Sequence, residues 1–111
     1  MNLDRRSLLL GMGTLPLAAG LAGTARAAIL EVEIRGFAYV PENLTISAGD
    51  TVRFTNFDSA PHTATATSGE AALDTGRLNR GGVGELTFDT PGTYPYFCIF
   101  HPSMTATITV T

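Results

Sequence analysis

The sequence predicts an all-β domain, either a sandwich or a barrel, on three observations. Six short segments alternate apolar and polar residues with the two-residue period of a half-buried strand. Clusters of Pro, Gly, Asn and Asp separate these segments as turns. No stretch of ten or more residues carries helical periodicity. Short strands at this spacing are typical of sandwiches and barrels.

Each predicted strand follows from its own alternation. The run from Thr51 to Phe57 places Val52, Phe54 and Asn56 on one face, and the run from Ala106 to Val110 places Ala106, Ile108 and Val110 on one face. The other predicted strands are Ile29 to Ile34, Leu44 to Ala48, Leu86 to Phe88 and Tyr94 to Cys98. Residues 68–80 form the longest unassigned segment, in which Glu70 to Leu73 fits either one helical turn or a loop.

The strand that ends at Cys98 carries two further signals. Gly92-Thr93-Tyr94 resembles a tyrosine corner, in which the hydroxyl of a Tyr near the start of a strand bonds back to an upstream turn. Pro95 has no backbone N–H to donate, so it predicts an edge or a bulge at its position.

The first 27 residues predict an export signal, and residues 28–111 are the predicted mature domain. Arg5-Arg6 precede an apolar run, no charge recurs until Arg26, and Ala25-Arg26-Ala27 has the small-x-small pattern of a cleavage site. The paired arginines favour the twin-arginine route to the periplasm. The alternative is an uncleaved membrane anchor, although Gly and Pro interrupt the apolar run. A lipid anchor is excluded because the sole Cys, Cys98, is far from the cleavage site.

Composition excludes several kinds of partner and chemistry. The predicted mature domain has four Arg against nine acidic residues, a formal net charge of −5, so we expect no nucleic-acid partner and, once the leader is removed, no membrane association. The chain has no Lys, which excludes a Walker-type phosphate clamp and a Schiff-base enzyme.

Four side chains predict a metal site. Cys98, His101 and Met104 lie within seven residues, and His62 is the only other histidine. Taken singly, His62 fits a surface turn, Met104 a core position and Cys98 a small buried hydrophobe. Taken together, two His, one Cys and a weak axial Met are the ligand set of a mononuclear electron-transfer copper site, although His₂Cys sites also accept zinc.

These residues resemble the cupredoxins, the type 1 blue copper proteins, and most of all their amicyanin branch. The matching motifs are Ala48-Gly49-Asp50-Thr51-Val52, Pro61-His62, Gly92-Thr93-Tyr94 and Tyr96-x-Cys98-x-x-His101-Pro102-x-Met104. The resemblance implies a Greek-key β-sandwich of about eight strands. It also implies one copper ion per chain, Cu(I) or Cu(II), bound by His62 Nδ1, Cys98 Sγ, His101 Nδ1 and Met104 Sδ.

The resemblance further implies an electron port at the exposed edge of His101, within an apolar patch of Ala60, Pro61, Phe100, Pro102 and Leu78. The chain departs from amicyanins at three places. Thr63 follows the first His where the family often has Asn, Ile99-Phe100 replaces Thr-Pro, and Arg77-Leu78 aligns with a Met-Met pair. The dehydrogenase partner of amicyanins therefore does not transfer to this chain.

Three functions compete. The first is a monomeric periplasmic electron carrier, with no enzymatic activity of its own, that cycles between a donor oxidoreductase and an acceptor such as a c-type cytochrome. The second is a periplasmic copper-handling protein for delivery or buffering, which the single Met of the mature domain disfavours. The third is a thiol enzyme, which is disfavoured because Met104 would have no role and no orienting acid is evident.

Overall fold

The computed structural model describes residues 27–68 and 73–111. These ranges contain eight strands and no helix. The strands are β1 (Ile29–Ile34), β2 (Tyr39–Val40), β3 (Asn43–Ile46), β4 (Asp50–Asn56), β5 (Thr65–Ala66), β6 (Val83–Phe88), β7 (Gly92–Phe97) and β8 (Thr105–Val110). The prediction of an all-β sandwich of about eight strands is confirmed.

The strands form two four-stranded sheets, in the orders β2-β1-β4-β6 and β3-β8-β7-β5. β1 pairs in parallel with β4, and β3 pairs in parallel with β8, whereas the other neighbours are antiparallel. A tight hairpin cannot join two parallel strands. Between the two strands of each parallel pair, the chain therefore passes through the other sheet. Consecutive strands β2 and β3 accordingly lie in different sheets.

The core lies between the two sheets, on the faces that the alternation predicts. In β4, Val52, Phe54 and Asn56 are fully buried, and in β8 the alternate residues Ala106, Ile108 and Val110 are buried. Packing of the opposed faces buries these side chains, and the hydrophobic effect makes that burial the main source of stability. Tyr96 from β7 stacks edge-on against Phe54 across the core, with ring centroids 5.6 Å apart.

Strands β2 and β5 were not predicted, because each has two residues and two residues show no period. β6 begins at Val83, three residues before the predicted start, since Gly84 breaks the apolar alternation. In the unassigned segment, residues 69–72 lie outside the described residues. Further along that segment, two isolated bridges tie the chain to the first half of the site: Leu78 pairs with His62 in the loop after β4, and Asp74 pairs with Thr65 in β5.

The tyrosine corner has a structural counterpart, whereas the expectation of an edge or a bulge at Pro95 was wrong, because β7 lies between β8 and β5 and pairs with β8 in an unbroken register. The Tyr94 hydroxyl donates to the Thr90 carbonyl at 2.6 Å, which is the bond of a tyrosine corner. The Pro95 carbonyl accepts the Thr67 N–H at 3.1 Å. In an antiparallel pair, the N–H and C=O of one residue point to the same side of the strand. The missing N–H of Pro95 therefore faces β5, and no hydrogen bond of the long β7–β8 ladder is lost.

The predicted leader, residues 1–27, lies outside the described residues except for Ala27. Within the ranges described, the chain has no helix with the length and apolar character needed to cross a membrane.

Candidate metal centre

His62 lies in the loop between β4 and β5, and hydrogen bonds fix its backbone from two sides. Its N–H donates to Leu78 O at 3.1 Å, and its carbonyl accepts from Leu78 N at 2.8 Å. Asn56, fully buried at the end of β4, donates its side-chain amide to the carbonyls of Ala60 and Leu78 at 2.9 and 2.8 Å. A buried amide with both N–H groups bonded holds the two loops together, and so sets the position of His62.

Cys98, His101 and Met104 lie on the loop between β7 and β8, which closes on itself through three backbone bonds. His101 N donates to Cys98 O at 3.2 Å, Met104 N to His101 O at 2.9 Å, and Cys98 N to Met104 O at 3.2 Å. These turns bring side chains three residues apart to one side of the loop. Cys98 is fully buried and Met104 is 4% exposed, whereas His101 is half-buried.

The donor atoms of three predicted ligands converge. The ligand atoms of His62, Cys98 and His101 all lie within 4.8 Å of one another. Cys98 Sγ lies 3.6 Å from His62 Nδ1 and 3.7 Å from His101 Nδ1. Bond lengths of about 2.0–2.1 Å to nitrogen and 2.3 Å to sulfur, at roughly 115–120°, separate two ligand atoms by about 3.7 Å. The spacing and the donor types therefore fit one borderline-soft metal ion.

Thr63, which follows His62 on the β4–β5 loop, connects this loop to the loop that carries Cys98. Its backbone N–H points at Cys98 Sγ at 3.4 Å, and its hydroxyl oxygen accepts the Ile99 N–H at 3.0 Å. The Tyr39 hydroxyl donates to the Thr63 carbonyl, and burial raises the pKa of Tyr39, which keeps the hydroxyl a donor. The Thr63 side chain thus connects the two loops, at the position where the family often has Asn.

Asp58 sets the tautomer of His62. Its Oδ2 lies 2.9 Å from His62 Nε2. An ionised carboxylate only accepts hydrogen bonds, so Nε2 carries the proton and the Nδ1 lone pair faces Cys98. Burial tends to raise the pKa of Asp58, but hydrogen bonds from Phe37 N–H, Gly36 N–H and His62 outweigh it, and the pKa lies below its usual value.

Phe37 covers both histidine rings from the tip of the β1–β2 hairpin. Its ring meets His62 and His101 edge-on, with centroids 5.0 and 4.8 Å away. Gly36 and Phe37 have φ of 64° and 59°, the left-handed pair of a type I′ turn, in which a Phe is strained. Both residues donate their N–H to the Asp58 carboxylate, at 2.8 and 2.9 Å, and this carboxylate compensates for the strain.

The predicted apolar patch changes in composition. Phe100 and Pro102, on either side of His101 in the chain, are exposed, and Ala60 and Pro61, just before His62, are half-buried, but Leu78 is only 6% exposed and packs in the core. Leu78 contributes to this end of the molecule through its backbone bridge to His62 rather than through its surface. Two other large side chains at this end are exposed: Phe37, 51% exposed, which the sequence did not suggest, and Ile99, 52% exposed, which the departure from Thr-Pro had already indicated. The Arg77 guanidinium lies 5.7 Å from the Phe100 ring.

Sequence reasoning missed Asp58 and Phe37, and the expectation that no acid orients a histidine was wrong, because Asp58 bonds to His62 Nε2. An acid four residues before His62 on the same loop was the available signal for Asp58. Phe37 gave none, since its place over the histidines depends on a strained turn that only the paired strands impose.

A two-sheet sandwich in which a buried thiol and two imidazoles converge at one end defines the class of blue copper electron-transfer proteins, the cupredoxins. Comparison with known proteins agrees with this class. The chain belongs to the family of copper binding proteins of the plastocyanin/azurin type, whose family model matches residues 27–111. It is accordingly a copper protein with one copper ion per chain.

Amicyanins are among its relatives. The chain is 36% identical over 82 residues to amicyanin of Paracoccus denitrificans, an alignment that covers 71% of this chain and 63% of the relative, which is less than two thirds of its length. It is 32% identical over 103 residues to amicyanin-alpha of Methylorubrum extorquens, covering 87% of each chain. A solved structure of a single-residue mutant of amicyanin in its oxidized state superposes with a TM-score of 0.69 at 32% identity, covering 75% of this chain and 82% of that one.

Proposed function

We propose that this chain is a periplasmic carrier of single electrons, and that His62 Nδ1, Cys98 Sγ, His101 Nδ1 and Met104 Sδ hold its copper ion. Bound copper supplies a one-electron couple, Cu(II)/Cu(I). The observation that carries the proposal is the convergence of one sulfur and two Nδ1 atoms at 3.6 and 3.7 Å, with the proton of His62 held on Nε2 by Asp58.

Rigidity of the protein ligands favours electron transfer over other copper chemistry. One-electron exchange is fast when both oxidation states use nearly the same geometry, so the ligands must not rearrange. Cys98, His101 and Met104 are tied by their own backbone bonds, and Thr63 ties that loop to His62. Buried sites with their hydrogen bonds satisfied resist rearrangement.

The electron port is proposed at the half-buried edge of His101, within the patch of Phe37, Ala60, Pro61, Ile99, Phe100 and Pro102. Among the exposed large hydrophobic side chains, Phe37 meets the His101 ring, and Ile99 and Phe100 directly precede His101 in the chain. An apolar surface suits brief docking of redox partners, because weak transient encounters need small interfaces and fast dissociation. The proposed partners are a donor oxidoreductase and an acceptor such as a c-type cytochrome.

The location follows from the leader. Residues 1–27 are proposed as a twin-arginine signal that is removed after Ala27, and the remaining domain acts in the periplasm as a monomer without enzymatic activity of its own.

The first experiment adds Cu(II) to the purified domain and records the visible spectrum. We expect an intense blue band from thiolate-to-copper charge transfer, which Cys98→Ser abolishes. Ser103→Ala is the matched control, since Ser103 is exposed on the same loop and its loss leaves the band in place. A colourless wild-type complex would contradict the proposal.

A second measurement separates the carrier from a copper-handling protein. Voltammetry of the copper-loaded domain should give a reversible one-electron couple, with no copper transferred to a chelator over the time of the measurement. An irreversible couple with rapid copper loss would favour delivery or buffering instead.

A further inference from the structure

Ala28, the residue before strand β1, is bound through both of its backbone groups. Ala28 N donates to Asp50 Oδ1 at 2.9 Å, and Ala28 O accepts the Thr51 N–H at 2.9 Å. Strand β1 begins at the next residue, Ile29, which pairs with Thr51. The fold therefore holds Ala28 on both sides, while Ala27 and Ala28 remain exposed.

The Asp50 carboxylate is built into this corner of the molecule. Its second oxygen accepts the Ser47 N–H at 2.9 Å, within a turn whose Gly49 has a φ of 97°. Asp50 itself is only 8% exposed. The backbone N–H groups of Ala28 and Ser47 hold the pKa of Asp50 below its usual value, so the carboxylate is ionised wherever the domain is folded near neutral pH.

We propose that hydrolysis of the Ala27–Ala28 bond by a signal peptidase turns the Ala28 nitrogen into an α-ammonium that forms an ion pair with Asp50 and fastens the first strand. Water adds across the peptide bond, Ala27 keeps the carboxylate, and the released amine takes up a proton. The nitrogen that already donates to Asp50 as a neutral amide then donates as a cation, and charge-assisted hydrogen bonds are roughly twice as strong as neutral ones.

Strand β1 is therefore held to Asp50 more firmly in the mature domain than in the precursor, but only if cleavage falls at this bond. A new N-terminus at Ala27 would leave Ala28 N an amide, and one at Ile29 would remove the donor. This inference rests on the proposed removal of the leader. It is independent of copper, because Asp50 opens β4 and Asn56 ends it beside His62, about 20 Å away.

The sequence makes the ion pair directly measurable. The chain has no Lys, so the α-amine is its only amine, and an amine-acylating reagent modifies that group alone. Only the unprotonated amine reacts, and an ion pair keeps the amine protonated. The ionisable side chain that follows the paired strand is Asp89, next to Phe88, which pairs with Asp50. A carboxyl is an acid, so the α-amine is the group in this corner that titrates between about pH 7 and 10.

The experiment expresses the full chain with export and determines the mass and N-terminus of the processed protein, where we expect Ala28. The acylation rate of this protein is then compared at pH 7 with that of Asp50→Asn, processed in the same way. We expect the Asn variant to react roughly three- to tenfold faster, as removal of an opposite charge lowers the pKa of the amine. Asp89→Asn removes the same charge near the same corner without touching Ala28 and should change the rate by less than about twofold.

A second readout needs no variant. The pH profile of acylation of the processed wild-type protein should place the pKa of its α-amine above the ordinary range of about 7.7–8.0. An N-terminus other than Ala28, equal rates for wild type and Asp50→Asn, or an ordinary amine pKa would each overturn the proposal. Loss of the blue band would contradict the proposed copper function alone, and would leave these three results unchanged.

Discussion

Thr63 meets three separate demands of the metal centre with one small side chain and its peptide group. Its N–H points at Cys98 Sγ, its carbonyl accepts the Tyr39 hydroxyl, and its own hydroxyl accepts Ile99 N–H. The sequence identified Thr63 as a departure from the Asn that the family often has after its first His. The actual acceptor role could not be read from the sequence, because it depends on how close the β4–β5 loop lies to the β7–β8 loop.

Two substitutions of Thr63 distinguish the contribution of its hydroxyl to stability from the contribution of its shape. Thr63→Val keeps the volume but leaves Ile99 N–H without its acceptor, so we expect the free energy of unfolding to fall by about 1–2 kcal/mol. Urea unfolding of the metal-free domain measures this change. Thr63→Ser keeps the oxygen and is the matched control, with a smaller loss. Equal losses in both variants would show that the methyl group, rather than the hydrogen bond, carries the effect.

Some strands can be recognised from the two-residue alternation of their sequence, whereas others form only by pairing with a neighbouring strand. β4 and β8 are long enough to show two-residue alternation, and their buried faces are the predicted ones. β2 and β5 exist only because a neighbour offers hydrogen bonds, β1 in one case and β7 in the other. Such strands are invisible to a local pattern, yet β2 completes the hairpin that places Phe37 over the histidines.

Two tyrosines of β7 provide a matched test of how this strand is held. The Tyr94 hydroxyl bonds to Thr90 O, whereas the buried Tyr96 hydroxyl has no hydrogen-bond partner among the described residues. Tyr94→Phe should lower the free energy of unfolding by about 1 kcal/mol. Tyr96→Phe removes a buried hydroxyl without a partner, so it should be neutral or stabilising. Both values come from denaturant unfolding of the metal-free domain, and a larger loss for Tyr96→Phe would contradict this account of the corner.

The candidate metal centre and the N-terminal ion pair lie at opposite ends of the sandwich. The proposed copper ligands lie on the loops after β4 and β7, while Ala28 and Asp50 meet at the opposite end of β4. Residue type and spacing predicted a sandwich or a barrel and four candidate ligands, and the resemblance to the cupredoxins implied the sandwich. The surface around His101 depends on which loops fold over it, and for that reason Leu78 was expected there while Phe37 was not.

Charge placed on the proposed docking face should slow electron exchange, and charge placed elsewhere should not. When two copies of a carrier exchange an electron through the same face, Phe100→Glu sets two carboxylates against each other across an apolar contact. We expect the self-exchange rate, measured by NMR on mixtures of oxidised and reduced protein, to fall by at least about tenfold at low salt and to recover partly at high salt, because salt screens the repulsion.

Ile29→Glu adds the same charge at the far end, where Ile29 is similarly exposed, and serves as the control. The visible spectrum should stay unchanged in both variants, so a slower rate in Phe100→Glu alone reports docking rather than a disturbed metal centre. Equal rates in the two variants would place the electron port away from Phe100.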